Sequence, residues 1–148
     1  MVNGPMFLID SKEPIKTRWD FPGYRTCVKS LEKHGVDYTI QGYTTRIGVE
    51  RKTVVDLCGR IKNWADFERC QLRKLKRKRH ACIIVEGDIS WADQMKYYNS
   101  IYLIKGVARI MLYGVQVLFA GTREDAMNCC TEYLLAAKNL VDTGKDAG

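Results

Sequence analysis

Glu50, Lys52 and Asp37 are residue types that can hydrolyse a phosphodiester with the help of a divalent cation, and their spacing lets them meet. In the run Gly48-Val49-Glu50-Arg51-Lys52-Thr53-Val54-Val55-Asp56, the segment from Arg46 to Lys52 reads as a strand. Side chains alternate along a strand, so Glu50 and Lys52 project from one face and Arg51 from the other. Phosphodiester hydrolysis needs charge neutralised on the phosphate, a water activated and a leaving oxygen assisted, which one or two metal ions can supply. Magnesium takes oxygen ligands. Asp37 and Glu50 are the expected ligands, with the main-chain carbonyl of Arg51 beside them and manganese as the substitute ion. Lys52 is expected to orient the attacking water and to stabilise charge developing on the phosphate. Asp10, Glu13 and Asp56 are expected around the same pocket, Asp56 as the group that orients the lysine. A carboxylate near Lys52 favours its charged form, and hence an electrostatic role over that of a neutral base.

The elements that must position these groups can be read from the pattern. Met6-Phe7-Leu8-Ile9 is an apolar strand ending in Asp10. Tyr24 to His34 has the spacing of an amphipathic helix, with Cys27, Val28 and Leu31 on one side and Gly35 closing it. Asp37-Tyr38-Thr39-Ile40 and Ile47-Gly48-Val49-Glu50 flank a polar, glycine-containing connection, the mark of an antiparallel hairpin. Thr53 is a helix N-cap, and the helix is expected to run, broken near Lys62-Asn63, to about Arg79. Ala81 to Val85 reads as a buried strand near the middle of the sheet. Ser90 is expected to cap a short helix carrying Trp91 and Met95; Ser100 to Tyr113 forms another helix, Val115 to Phe119 a fifth strand, and Thr122 caps a last helix running through Leu140. The expected architecture is α/β: a single-domain mixed central β-sheet flanked by helices over 1–140, followed by a flexible tail at 141–148.

Bulk properties narrow the class. The 148 residues, 46% hydrophobic and 28% charged, suit one soluble domain, and no stretch has the ~20 apolar residues of a membrane span. The N-terminus lacks the basic start and apolar run of a secretory signal, so the expected location is the cytoplasm. Six cysteines without a C-x-x-C pair read as buried, reduced thiols. The net charge of +7 suits a polyanionic partner.

From Met6 to about Glu86 the chain resembles the nuclease domain of the XPF family of structure-specific endonucleases, within the restriction-endonuclease-like superfamily. That family carries an apolar strand ending in D-x-R-E, then G-D-Y, then V-E-R-K-x-x-x-D-L. The chain has Asp10-Ser11-Lys12-Glu13, Gly35-Val36-Asp37-Tyr38 and Val49-Glu50-Arg51-Lys52-Thr53-Val54-Val55-Asp56-Leu57. Lys12 stands where the family has arginine, and Val36 separates the glycine from Asp37. The resemblance implies Asp37 and Glu50 as metal ligands, Lys52 as the catalytic lysine, and Arg51 and Asp56 as supporting residues. It implies a magnesium-dependent endonuclease acting on branched or structured DNA in repair, recombination or replication. Nothing after Gly121 offers the family's helix-hairpin-helix tail, so the expectation is a stand-alone catalytic domain similar to compact phage versions, acting in a host cytoplasm, or in a nucleus if the source is eukaryotic.

The basic run Arg73-Lys74-Leu75-Lys76-Arg77-Lys78-Arg79-His80 would by itself be a solvated helix face. Beside a nuclease motif, Arg73, Lys74, Lys76, Arg77, Lys78 and Arg79 become the expected contacts to DNA phosphates. His34 and His80 do not read as a metal pair. Trp19, Trp64, Trp91 and Tyr97-Tyr98 read as packing residues. The stripe Met127, Leu134, Leu135 and Leu140 reads as core first and as a dimer face second; a homodimer or a partner protein supplying specificity is the corresponding expectation. The alternatives are a non-catalytic DNA-binding scaffold on the same fold, and a nuclease for linear DNA or RNA.

Overall fold

The computed structural model describes residues 4–144. Six strands form one mixed sheet: β1 (Met6–Asp10), β2 (Arg25–Lys29), β3 (Tyr38–Ile40), β4 (Ile47–Thr53), β5 (His80–Glu86) and β6 (Gln116–Ala120), in the order β2-β1-β3-β4-β5-β6. β3 runs antiparallel to both of its neighbours, whereas β4, β5 and β6 are parallel. The helices are α1 (Val54–Lys62), α2 (Trp64–Phe67), α3 (Arg73–Lys76), α4 (Ser100–Tyr113) and α5 (Arg123–Thr143), with a π-helical turn, Glu68–Leu72, joining α2 to α3.

Alternation along the strands divides the core in two. Leu8, Ile83 and Val85 face a layer containing Val54, Leu57, Phe67, Leu72, Leu103 and Ile110, so α1, the π turn and α4 cover that side. Phe7, Ile9, Val49, Cys82 and Ile84 face the other layer, where Ala126, Cys130 and Leu134 of α5 pack with Trp19 and Phe21. Leu134 is fully buried and Met127 and Leu135 pack against the same layer, so that part of the α5 stripe is core, whereas Leu140 is exposed. Cys58, Cys82 and Cys130 are buried free thiols, while Cys27 and Cys70 are free and exposed.

The hairpin, the Thr53 cap, α4 and the Thr122 cap fall where the sequence places them. Thr53 accepts from the Asp56 amide at 3.1 Å and Thr122 from the Asp125 amide at 3.0 Å. The break expected near Lys62-Asn63 is at Asn63, between α1 and α2. α5 continues to Thr143, past Leu140, and the remainder of the expected tail, 145–148, lies outside the described residues.

The segment 24–34 departs from the helical reading. Arg25–Lys29 is an edge strand paired in parallel with β1, and only Glu32–His34 is helical, as a single 3-10 turn. Every residue of β2 is exposed, so the helical spacing of Cys27 and Val28 has no core to serve. The free edge of β1 needed hydrogen-bond partners, and that requirement outweighs local periodicity. Gly35 does close the turn in a left-handed conformation, φ 69°. Two smaller differences concern β5 and the Ser90 region. β5 is interior but second from the β6 edge, and Asp88, whose carboxylate accepts from the Ser90 amide at 2.8 Å, caps the 3-10 segment Ile89–Gln94. Among the described residues no helix is long and apolar enough to cross a membrane.

Candidate active site

Three adjacent strands bring the acids together. β1 delivers Asp10 at its C-terminal end, β3 begins immediately after Asp37, and β4 presents Glu50 and Lys52 near its C-terminal end. The register is fixed by main-chain bonds: the Asp10 amide donates to the Asp37 carbonyl at 2.8 Å, and the Asp37 amide donates to the Val49 carbonyl at 2.9 Å. Leu8, Asp10, Glu50 and Lys52 therefore share the face turned towards α1 and the π turn. Val36, the residue inserted before Asp37, packs on Gly48: a methyl group there would lie 2.4 Å from Val36 Cγ1. Glycine at position 48 lets Val36 enter the core, and Asp37 still arrives beside Glu50.

Each acid is held differently. Asp10 Oδ1 accepts from the Leu31 amide at 2.9 Å, and Asp37 Oδ2 accepts from the Arg51 amide at 2.8 Å. Glu50 Oε1 accepts from Lys52 Nζ at 3.2 Å, and both side chains are about 10% exposed. A turn in which the Glu13 amide donates to the Asp10 carbonyl at 3.0 Å brings Glu13 back over the site. Burial pushes the Glu50 carboxyl well above its usual range, with the neighbouring Asp37 charge adding to the effect against the pull of Lys52. Burial raises Asp37 too, against the Arg51 amide bond. Glu13 rises to about 7 through burial first and the Asp37 charge second.

Arg51 points to the opposite face, where its charge is fully used. It meets Glu86 at 3.0 Å and Glu13 at 3.5 Å, donates to the Thr17 carbonyl at 2.8 Å and stacks over Trp19. Glu86 also accepts from Trp19 Nε1 at 3.2 Å. Arg51 thus clamps the loop after β1 onto the end of β5, and its main-chain amide holds Asp37.

Asp56 lines a recess of about 220 Å³ with Glu13, Arg51 and Lys52, but the carboxylate that orients the ammonium of Lys52 is that of Glu50. Asp56 itself is exposed, one turn into α1, and its amide is bound by Thr53.

A cavity of about 510 Å³ opens on the carboxylates and is walled by Asp10, Asp37, Glu50, Gln71, Arg69 and Lys74 among others. Arg69 and Gln71 escaped the sequence reading because a regular helix would aim them elsewhere; the π turn shifts the register by one residue, as such turns often do at functional sites. Gln71 Oε1 is buried without a hydrogen-bond partner and borders this cavity. Among the described residues no group of three or more His, Cys, Asp or Glu side chains is arranged to hold a metal ion unaided. The donor set suits a hard cation that keeps several waters: two close carboxylates whose charges burial disfavours, and an orphaned amide oxygen nearby.

The expected DNA-binding residues divide. Lys74, Arg77 and Lys78 join Lys33, His34 and Thr45 around a second recess of about 230 Å³, and Lys74 also borders the carboxylate cavity. Lys78 donates to the Thr44 carbonyl at 2.7 Å. Lys76 turns away to sit over Tyr113, and Arg73 reaches Glu68 at 3.7 Å. Arg79 is exposed. His34 is pushed below its usual pKa, by burial and then by the Lys78 and Lys33 charges.

Residues 9–132 match the ERCC4 domain. The chain belongs to the ERCC4 domain family. It is similar to the solved structure of XPF from Aeropyrum pernix, with a TM-score of 0.70 at 21% identity over 90% of this chain and 61% of that one. It is equally similar to the structure of XPF from Aeropyrum pernix in complex with DNA, with a TM-score of 0.70 at 21% identity, over 92% of this chain and 66% of that one. The chain therefore spans less than two-thirds of either. At this identity the likeness is one of fold, and the fold is the XPF-type, restriction-endonuclease-like one. No curated protein matches the chain in sequence. Within the ERCC4 domain match lie Asp10, Asp37, Glu50, Lys52, Arg69 and Gln71.

Proposed function

We propose that this ERCC4 domain is a metal-dependent DNA endonuclease that acts on branched or otherwise structured DNA, in repair, recombination or replication. One observation carries the reading: Asp37 and Glu50 lie side by side, both disfavouring their charges, with a buried lysine 3.2 Å from Glu50. The solved XPF relative in complex with DNA supports the class of ligand.

Asp37 and Glu50, with the Arg51 main-chain carbonyl, are the groups that would hold magnesium or manganese. Such an ion supplies charge neutralisation at the phosphate and an acidified water. The chain's own residues do the rest. Lys52, held by Glu50, aims its ammonium at the negative charge that grows on the phosphate oxygens. Gln71 Oε1 offers an acceptor for the attacking water. Asp10 holds the Leu31 amide, and so fixes the loop that walls the cavity. Lys74, Arg77 and Lys78 track the phosphate backbone leading to it, an attraction that is independent of sequence and sensitive to salt. The homodimer expectation is placed on the exposed apolar side chains Ile101, Ile104, Met111 and Leu112 of α4; mass in solution, compared between wild type and Leu112→Glu, tests that part.

The deciding experiment incubates the purified chain with labelled single-stranded, duplex, flap, fork and four-way DNAs in magnesium, manganese or chelator. Ion-dependent cutting of the branched substrates, lost in Glu50→Ala and Lys52→Ala while DNA binding persists, is the expected result. Undiminished cutting by either variant overturns the assignment.

A further inference from the structure

A further cavity lies apart from Asp37 and Glu50, neither of which lines it. It has a volume of about 590 Å³, inside the range of small-ligand pockets. It opens at the C-terminal ends of the parallel strands β4, β5 and β6, lined by Thr53, Glu86 and Gly121 at those ends. Crevices at the carboxyl ends of parallel strands are where open α/β sheets bind ligands. Thr53 also lines the recess that holds Lys52, so the cavity adjoins the proposed reaction site along the sheet edge. Neighbouring strands are about 4.8 Å apart, which places the cavity within the reach of the next nucleotides of a strand bound at Lys52.

Its lining is chemically specific. Trp91 is 47% exposed and Val55 61% exposed, and Met95 completes an apolar wall. The Trp91 ring rests on the bare backbone of Gly87: a methyl group there would lie 2.8 Å from Trp91 Cε3, so the ring has a fixed seat. The polar groups are few. Gln94 offers an amide, the group that reads base edges by paired hydrogen bonds. Arg123 is anchored by one nitrogen on the Arg18 carbonyl at 2.7 Å and keeps further donors for a phosphate oxygen. Glu86 adds no free charge, since Arg51 and Trp19 occupy its carboxylate.

We infer that this cavity receives an unpaired nucleobase of the DNA strand bound at Lys52, stacked on Trp91, with Gln94 at the base edge and Arg123 at the adjoining phosphate. The inference rests on the nuclease reading above and sharpens it. A base inside a duplex cannot reach the cavity without leaving its stack, which is least costly where it is already unpaired. The catalytic domain itself then selects junctions, because a nucleotide freed at a branch seats on Trp91 and a paired one does not.

Trp91 is the most exposed of the three tryptophans, Trp19 being fully buried and Trp64 half-buried, so its fluorescence reports on the cavity. The experiment uses the non-cleaving Lys52→Ala chain and three DNAs of equal length: a full duplex, a duplex with a short unpaired bubble, and the same bubble with abasic sites. Quenching by the bubble, little by the duplex or the abasic bubble, and none in Lys52→Ala/Trp91→Phe is expected. Trp91→Ala should weaken bubble binding about tenfold while leaving duplex binding unchanged, and Trp91→Phe, which can still stack, should retain most of the affinity. Equal quenching by all three DNAs, no quenching, or equal losses for duplex and bubble would overturn the inference. Failure of the nuclease reading looks different: it is absence of cutting by the wild type, whatever Trp91 reports. Seating of a protein partner in place of a base would show as a Trp91 signal indifferent to every DNA.

Discussion

The two faces of β4 carry similar side chains and opposite electrostatics. Arg51 lies among Glu13, Glu86, Trp19 and the Thr17 carbonyl, a set in which each donor has an acceptor. On the other face Lys52 alone answers Glu50 with Asp37 alongside, and both carboxyls are pushed upwards. A balanced buried network fixes geometry; an unbalanced one costs stability and is retained where a ligand completes it. The pattern E-R-K thus puts a structural clamp and the proposed reactive centre one residue apart, separated by the thickness of a sheet.

Substitutions on the two faces should divide accordingly. The largest effect is expected for Lys52→Ala, with a loss in cleavage rate on the order of 10²–10³ and a smaller melting loss than for Arg51→Ala, because Lys52 holds a single carboxylate that burial already inclines to take up a proton, read by single-turnover cleavage and thermal melting. Arg51→Ala should do the reverse. It leaves Glu13 and Glu86 without their cation and is expected to lower stability by about 3 kcal/mol in urea unfolding. A melting loss from Lys52→Ala as large as that from Arg51→Ala would erase the distinction. Magnesium or manganese at a hundredfold excess over its dissociation constant should stabilise the wild type by about 2.7 kcal/mol. The Asp37→Asn/Glu50→Gln chain should gain nothing from either ion.

The pH dependence follows from carboxyls raised by burial and by the Asp37 charge: Glu50 beside Lys52, and Glu13, which also meets Arg51. A carboxyl whose pKa is higher folded than unfolded makes the native state bind the extra protons, so its contribution is greatest at low pH and is lost as pH rises. For Glu13 the window runs from its ordinary value of 4.5 to about 7, and Glu50 extends the trend upwards. In chelator, stability should therefore fall from pH 5 to pH 7.5, and Glu50→Gln should flatten that fall; a flat wild-type profile would contradict the unbalanced face. The smallest effect belongs to the periphery. Arg77→Ala is expected to reduce the slope of log binding constant against log salt by just under one, without changing the order of substrate preference.

Much of the site was legible because its residues are close in sequence. Alternation alone separates Arg51 from Glu50 and Lys52, and the polar turn between two β-rich runs brings Asp37 alongside. Thr53 and Thr122 announce their helices because a hydroxyl before an apolar run satisfies an otherwise orphaned amide. Other features had no local signal. Cys27, Val28 and Leu31 fit a helical face, and only the unpaired edge of β1 makes that segment a strand. The π turn that aims Gln71 at the carboxylates is invisible in composition. Helical spacing points to Asp56 as the partner of Lys52, whereas the strand pleat supplies Glu50 directly.

The sequence by itself determined which acids and which lysine fall at the ends of neighbouring strands, and the basic net charge of the chain, since each follows from residue type and short-range periodicity. The tertiary structure decided what surrounds those residues. Val36 and Asp37 are placed by the space left at Gly48, Arg51 is neutralised by residues 35 and 38 positions distant, and Trp91 meets Thr53 and Arg123 only where three strand ends converge. These are contacts between segments far apart along the chain, set by sheet order and packing rather than by any local preference.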